Sequence, residues 1–136
     1  MRILIVDDDR INRKFLNAML TGIGEIEMAA NGQEAIDHVS EGIKQENPFD
    51  VIFLDIMMPD MDGIETLQAI RSVEKEHDIQ LNQGAKVVMV TALADKQNVL
   101  SAFTKGCEYY LVKPVQQGKV FALLEEMGFD ISGVDI

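Results

Sequence analysis

The amino-acid sequence predicts an α/β fold: a single doubly wound (βα)5 domain built on one five-stranded parallel sheet. Three observations predict it. Short apolar runs alternate five times with segments of helical period, the pattern of a parallel sheet with helices on both faces. The first, third and fourth runs are apolar rather than alternating, as strands covered on both faces are. The length of 136 residues suits one domain, which can bury about 68–70% of the surface its unfolded chain exposes without disulfides or a structural metal.

Residues 2–6 form a β-branched run ended by three aspartates, which reads as strand one. A helix should follow, because Ile11, Phe15, Met19 and Ile23 recur every four residues, Asp9 can cap the first turn, and Gly22 and Gly24 supply a stop. Residues 25–30 alternate polar and apolar as a weaker strand two, Asn31-Gly32 turns the chain, and Ala35, Ile36, Val39 and Ile43 mark helix two before Pro48. Strand three covers residues 51–54 and stops at Asp55. After a loop at 57–63, Ile64, Leu67, Ile70 and Val73 stripe helix three to about Glu76, and a polar stretch runs over 77–85. Residues 86–90 give strand four, ending at Thr91. Helix four spans about 95–105 and is closed by Gly106, and strand five covers 109–112. Val120, Phe121, Leu124 and Met127 stripe helix five. The domain therefore occupies residues 1–128, and 129–136 are a short tail.

Composition narrows the function. Twelve basic residues against 23 acidic ones give a net charge of −11, which argues against direct nucleic-acid binding, since counterion release needs clustered Lys and Arg. No apolar stretch approaches the 18 residues a membrane span requires, and the run before Asp7 is too short for a signal-peptide core, so no membrane insertion is expected. Cys107 is the one cysteine and cannot close an intrachain bridge; a small buried side chain in a cytoplasmic protein is its expected part.

In an open parallel sheet the ligand site lies beyond the carboxyl ends of the strands, where the strand order reverses. Those ends offer Asp7, Asp8 and Asp9 after strand one, Asp55 after strand three, Thr91 after strand four and Lys113 after strand five. Singly these are a helix cap, a strand end and a solvated charge. Together they place like charges where mutual repulsion costs stability, and a cation would relieve it. Hard oxygen ligands at a solvent-facing mouth favour Mg2+.

These residues resemble the response-regulator receiver domain, the phospho-accepting part of two-component signalling, over about residues 1–128. The family's acidic pair matches Asp7-Asp8 in Ile-Leu-Ile-Val-Asp-Asp-Asp, and its phosphoacceptor matches Asp55 in Phe-Leu-Asp-Ile-Met-Met-Pro-Asp-Met-Asp-Gly. Its hydroxyl residue matches Thr91, followed by the small Ala92, and its lysine matches Lys113, with Pro114 following through a cis peptide. The resemblance implies a flavodoxin-like sheet in the order 2-1-3-4-5. It implies Mg2+ held by Asp8 and Asp55, by Asp7 partly through water, and by the Met57 main-chain carbonyl. Asp55 would accept a phosphoryl group from a phosphohistidine of a histidine kinase or histidine phosphotransfer protein, assisted by Thr91 and Lys113. Tyr110 would report the change to the surface of helix four, strand five and helix five, which would act on a downstream effector protein or output domain. Such a domain is a phosphoacceptor that assists its own phosphorylation and dephosphorylation, not a turnover enzyme.

Some positions depart from what hydrolysis favours. The residues two beyond Asp55 and Thr91 are the apolar Met57 and Leu93, which predicts a fairly long-lived phosphoryl group. Residues 72–85 exceed what most receivers need before strand four, and a mobile or partner-facing loop is expected there. A haloacid-dehalogenase-like phosphatase would need Asp-x-Asp at the nucleophile, whereas Asp55-Ile56-Met57 lacks the second acid. Nucleotide and flavin sites fail for want of a Gly-x-x-x-x-Gly-Lys loop, and Gly22-Ile23-Gly24 falls where a helix ends. His38 and His77 show no metal-binding spacing, and Met57, Met58 and Met61 read as loop and core filler. A non-phosphorylated pseudo-receiver serving as a dimerisation module is the other alternative, against which the complete acid, Thr and Lys set argues. A homodimer through helix four, strand five and helix five is compatible with a working phosphoacceptor. The tail is too short to be an effector, so output should come through another protein or a further segment.

Overall fold

The computed structural model describes residues 1–80, 82–92 and 96–131. Its elements run β1 (Arg2–Val6), α1 (Arg10–Leu20), β2 (Glu25–Ala29), α2 (Gly32–Lys44), β3 (Val51–Asp55), α3 (Gly63–Glu76), β4 (Lys86–Thr91), α4 (Lys96–Thr104), β5 (Tyr109–Val112) and α5 (Gln117–Glu126). The strands form one parallel sheet in the order β2-β1-β3-β4-β5, so the chain reverses direction across the sheet between β1 and β3. The predicted (βα)5 fold and its order hold. Among the described residues no helix is long and apolar enough to cross a membrane.

The two-residue period of a strand divides the core between the faces of the sheet. Leu4, Val6, Ile52, Leu54, Val87 and Met89 meet Ala35 and Val39 of α2, Leu67 and Ile70 of α3, and Ala102 of α4. Ile3, Ile5, Val51, Phe53, Val88 and Val90 meet Leu16 and Leu20 of α1 and Val120, Phe121 and Leu124 of α5. Register matches these rows, with Ile5 opposite Phe53 and Phe53 opposite Val88. The β3 side chains from Val51 to Leu54 have no exposed surface. Phe129 and Ile131, the first apolar residues of the expected tail, also pack on the α1/α5 side; 132–136 lie outside the described residues.

Two local expectations need correction. The four-residue ladder from Ile11 to Ile23 is not the buried face of α1: Leu16 and Leu20 are buried, while Ile11 and Phe15 are 74% and 59% exposed. A step of four residues overshoots one helical turn by about 40°, so such a ladder spirals away from any fixed face. Asn31-Gly32 is a helix start rather than a turn. Asn31 caps α2 by accepting the Glu34 N–H at 2.8 Å, and the Glu34 carboxylate accepts the Ala30 N–H at 3.0 Å.

The 77–85 segment is fastened at both ends. The Ile79 N–H donates to the Glu74 carbonyl, the Ala85 N–H donates to the buried Glu74 carboxylate at 2.8 Å, and Arg71 donates to the Ala85 carbonyl at 2.8 Å. Leu81, within that segment, and Asp95, the expected start of helix four, lie outside the described residues, as does Leu93.

Candidate functional site

The carboxyl ends of β1 and β3 lie side by side because the strands pair in register from Ile3–Val51 to Val6–Leu54, so the next residues, Asp7 and Asp55, emerge together. Both are buried, with 7% and 3% of their surface exposed, whereas Asp8 is exposed. One oxygen from each of Asp7, Asp8 and Asp55 lies within 4.8 Å of the others. The Lys113 ammonium approaches Asp55 Oδ1 at 3.3 Å and Asp7 Oδ2 at 3.7 Å, making it the cation of the group. Sequence position alone separates these four residues by more than a hundred positions; the sheet joins them.

The connecting loops hold the acids in place. The Asp7 N–H donates to the Ala29 carbonyl at 3.2 Å, the Asp9 N–H donates to Asp7 Oδ1 at 2.9 Å, and the Asp9 carboxylate caps α1 by accepting the Ile11 N–H at 2.8 Å. The Met57 N–H reaches the Asp55 carboxylate, and the Met57 side chain points to solvent. The Lys113 N–H donates to the Thr91 carbonyl at 2.8 Å, and the peptide from Lys113 to Pro114 is cis. Thr91 is buried at the end of β4, and its hydroxyl donates to the Ala92 carbonyl at 3.4 Å rather than to Asp55. Tyr110 stands apart, 46% exposed, its ring edge-on to Phe103 with centroids 6.0 Å apart. Tyr110 and Thr91 both line a groove of about 460 Å3, together with Val99 and Leu100 of α4.

Burial, and then the charge of Asp7, push the Asp55 carboxyl up from 3.8 to about 6, with Lys113 offsetting only part of the rise. A carboxylate so placed is short of positive charge, and three carboxylates around one point suit a hard divalent cation. Asp7, Asp8 and Asp55 could hold a metal ion, each offering one carboxylate oxygen, and an all-oxygen donor set of this kind fits Mg2+.

Arg13 has no part in the sequence reading of this site, and Gly63 enters it only as the end of the string around Asp55. Arg13 of α1 donates from Nη1 to the Asp7 carbonyl at 2.7 Å. Gly63, the first residue of α3, donates its N–H to the Ile56 carbonyl at 2.8 Å, and a Cβ added there would strike the Asp55 carbonyl oxygen. Gly63→Ala must therefore displace the main chain of Asp55 itself. It is expected to destabilise by about 1–3 kcal/mol and to slow any reaction at Asp55, as measured by urea unfolding and by adduct formation.

Comparison with known proteins agrees with this arrangement. The family model for the response regulator receiver domain matches residues 3–125. The chain is 33% identical to the osmosensing histidine protein kinase SLN1 of Saccharomyces cerevisiae, over 93% of this chain and 10% of that protein. It is also 33% identical to the two-component response regulator ARR22 of Arabidopsis thaliana, over 93% of this chain and 83% of that one. The chain thus spans a tenth or less of several histidine kinases it matches and most of a short regulator. The crystal structure of the receiver domain of the histidine kinase CKI1 of Arabidopsis thaliana, complexed with Mg2+ and BeF3−, superposes with a TM-score of 0.78 at 31% identity, over 92% of this chain and 89% of that one. With its sheet order, the acids at its strand ends and a family match over residues 3–125, the chain belongs to the response regulator receiver domains of two-component signalling.

Proposed function

We propose that Asp55 accepts a phosphoryl group from a phosphohistidine on a histidine kinase or phosphotransfer protein. The observation that carries this reading is the buried Asp55 carboxylate, 3.3 Å from Lys113 and grouped with Asp7 and Asp8 at the mouth of the sheet. An Asp55 oxygen attacks phosphorus, the P–N bond to the donor imidazole breaks, and its electron pair stays with the imidazole. Phosphoryl transfer depends on positioning and on neutralising charge at the equatorial oxygens, which is the part of Lys113 and the Thr91 hydroxyl. Mg2+ held by Asp7, Asp8 and Asp55 would supply further neutralisation of the phosphoryl charge, and the crystal structure of the CKI1 receiver domain complexed with Mg2+ and BeF3− supports such an ion here. The donor approaches over the groove of about 470 Å3 in which Asp7 and Lys113 adjoin the apolar Ile11, Phe15, Pro114 and Val115.

Phosphorylation adds about −1.5 to −2 charge at one point, and the Thr91 hydroxyl turning toward it would open space for Tyr110. Leu100, Phe103 and Tyr110, exposed on α4 and β5, form the surface that changes for an effector, an output domain or a second copy of the chain. Driving this switch from 1:99 to 99:1 takes about 5.5 kcal/mol, within reach of a few charge-assisted hydrogen bonds.

Intact mass after incubation with acetyl phosphate tests the reading. One phosphoryl adduct is expected with Mg2+, and none in EDTA or in Asp55→Asn. If no adduct forms from acetyl phosphate or from a phosphorylated histidine phosphotransfer protein, the chain is a pseudo-receiver. Release of free phosphate that survives in Asp55→Asn would instead identify a phosphatase.

A further inference from the structure

We propose that Arg13 is a positioning residue of the acidic site, locking the peptide plane between Asp7 and Asp8 so that both carboxylates face one cation; the inference rests on reading Asp7, Asp8 and Asp55 as the Mg2+ site. Asp7 is held at each of its polar groups. Its N–H is bound to the Ala29 carbonyl, its Oδ1 accepts the Asp9 N–H, and its Oδ2 lies 3.7 Å from Lys113. Its carbonyl oxygen accepts from Arg13 Nη1 at 2.7 Å. That carbonyl belongs to the peptide that sets the direction of Asp8, whose side chain is exposed.

Arg13 is well placed to lock this peptide. Its own N–H donates to the Asp9 carbonyl at 3.0 Å in the first turn of α1, and its half-buried side chain reaches back to the Asp7 carbonyl, just beyond the end of β1. One side chain thereby ties the start of the helix to the peptide that joins the acidic pair. Groups behind metal ligands commonly matter in this way, and their loss lowers metal affinity by roughly 10–100-fold.

Electrostatics and positioning make opposite predictions for Arg13. A guanidinium beside a cation site repels the cation, so by charge alone its removal tightens binding. If it holds the peptide, its removal loosens the acid pair and weakens binding. Calorimetric titration of Mg2+ into the metal-free protein separates the two. Arg13→Ala is expected to bind about tenfold more weakly, Arg13→Lys to recover part of the loss, and Arg10→Ala, which removes an exposed charge from the same turn, to bind no more weakly than the parent. The thermal midpoint in EDTA should change little. Arg13→Gln, which keeps an aliphatic stem, carries the same expectation and replaces Arg13→Ala should that variant unfold. Equal or tighter binding by the variant that lacks the guanidinium overturns the inference. Absence of Mg2+ binding by the parent protein at millimolar concentration overturns the site reading itself, and this inference with it.

Discussion

Asp55→Asn is expected to stabilise the metal-free protein at neutral pH by about 1–3 kcal/mol while abolishing phosphoryl acceptance. The Asp55 carboxyl is raised from 3.8 to about 6, chiefly by burial and then by the Asp7 charge. In the folded state it therefore holds a proton more tightly than in the unfolded chain. The stability associated with this group is fully present below pH 4, falls as pH rises through the window from about 4 to 6, and stays low above it. A rise of about two pH units corresponds to about 3 kcal/mol, the upper end of the expected gain. Asparagine is uncharged and nearly isosteric, so it escapes the desolvation and the repulsion from Asp7. Urea unfolding in EDTA, followed by circular dichroism at pH 7.5 and again near pH 4, checks the sign. The variant should be more stable at pH 7.5, and the difference should shrink toward zero at the lower pH. Mg2+ should close the gap at pH 7.5 by stabilising the parent more than the variant. A variant less stable than the parent at pH 7.5 would show that Asp55 bears no such charge burden.

The same physics explains what was legible in the sequence. Carboxylates that end otherwise apolar strands are conspicuous, because nothing in folding calls for Asp7 or Asp55 there, so the core of the site could be read before the fold was seen. Alternation of strand and helix periods likewise sufficed for the sheet. Side chains that act through hydrogen bonds to the main chain left no such trace. Arg13 resembles any charged residue on an amphipathic helix until its guanidinium is seen on the Asp7 carbonyl. On α3, Leu67 and Ile70 lead at helical spacing to Glu74, a carboxylate on the apolar stripe, and that was a readable sign of a buried partner. Val73, which continues the apolar spacing of the stripe, is only half-buried.

Arg71→Ala is expected to destabilise the protein by about 3–5 kcal/mol, because Arg71 is the cation that allows two acids to stand between α3 and the start of β4 and β5. Its Nη1 donates to Glu74 at 2.7 Å and to the Ala85 carbonyl at 2.8 Å. Nε and Nη2 both donate to the Gly106 carbonyl, at 3.0 and 2.7 Å, and Nη2 reaches both oxygens of Glu108 at 3.0 Å. Glu74 in turn accepts the Ala85 N–H and Glu108 the Val87 N–H, so both carboxylates are built into the main chain and cannot swing out to water. Burial already raises the Glu108 carboxyl, with Val87 and Arg71 pulling it back; without Arg71 it rises further. The deficit of the variant should accordingly be largest at neutral and alkaline pH and shrink as the solution is acidified and the orphaned acids take up protons. Adding Glu108→Gln to Arg71→Ala should restore part of the loss, and the non-additivity of the pair, about 0.5–3 kcal/mol, measures their coupling. This cluster lies at the amino ends of the strands, across the sheet from Asp55, so the variant should still take up a phosphoryl group at a temperature where it is folded. Loss of less than about 1 kcal/mol, the range of an exposed ion pair, would mean that the guanidinium is solvated and that the segment before β4 is held by other contacts.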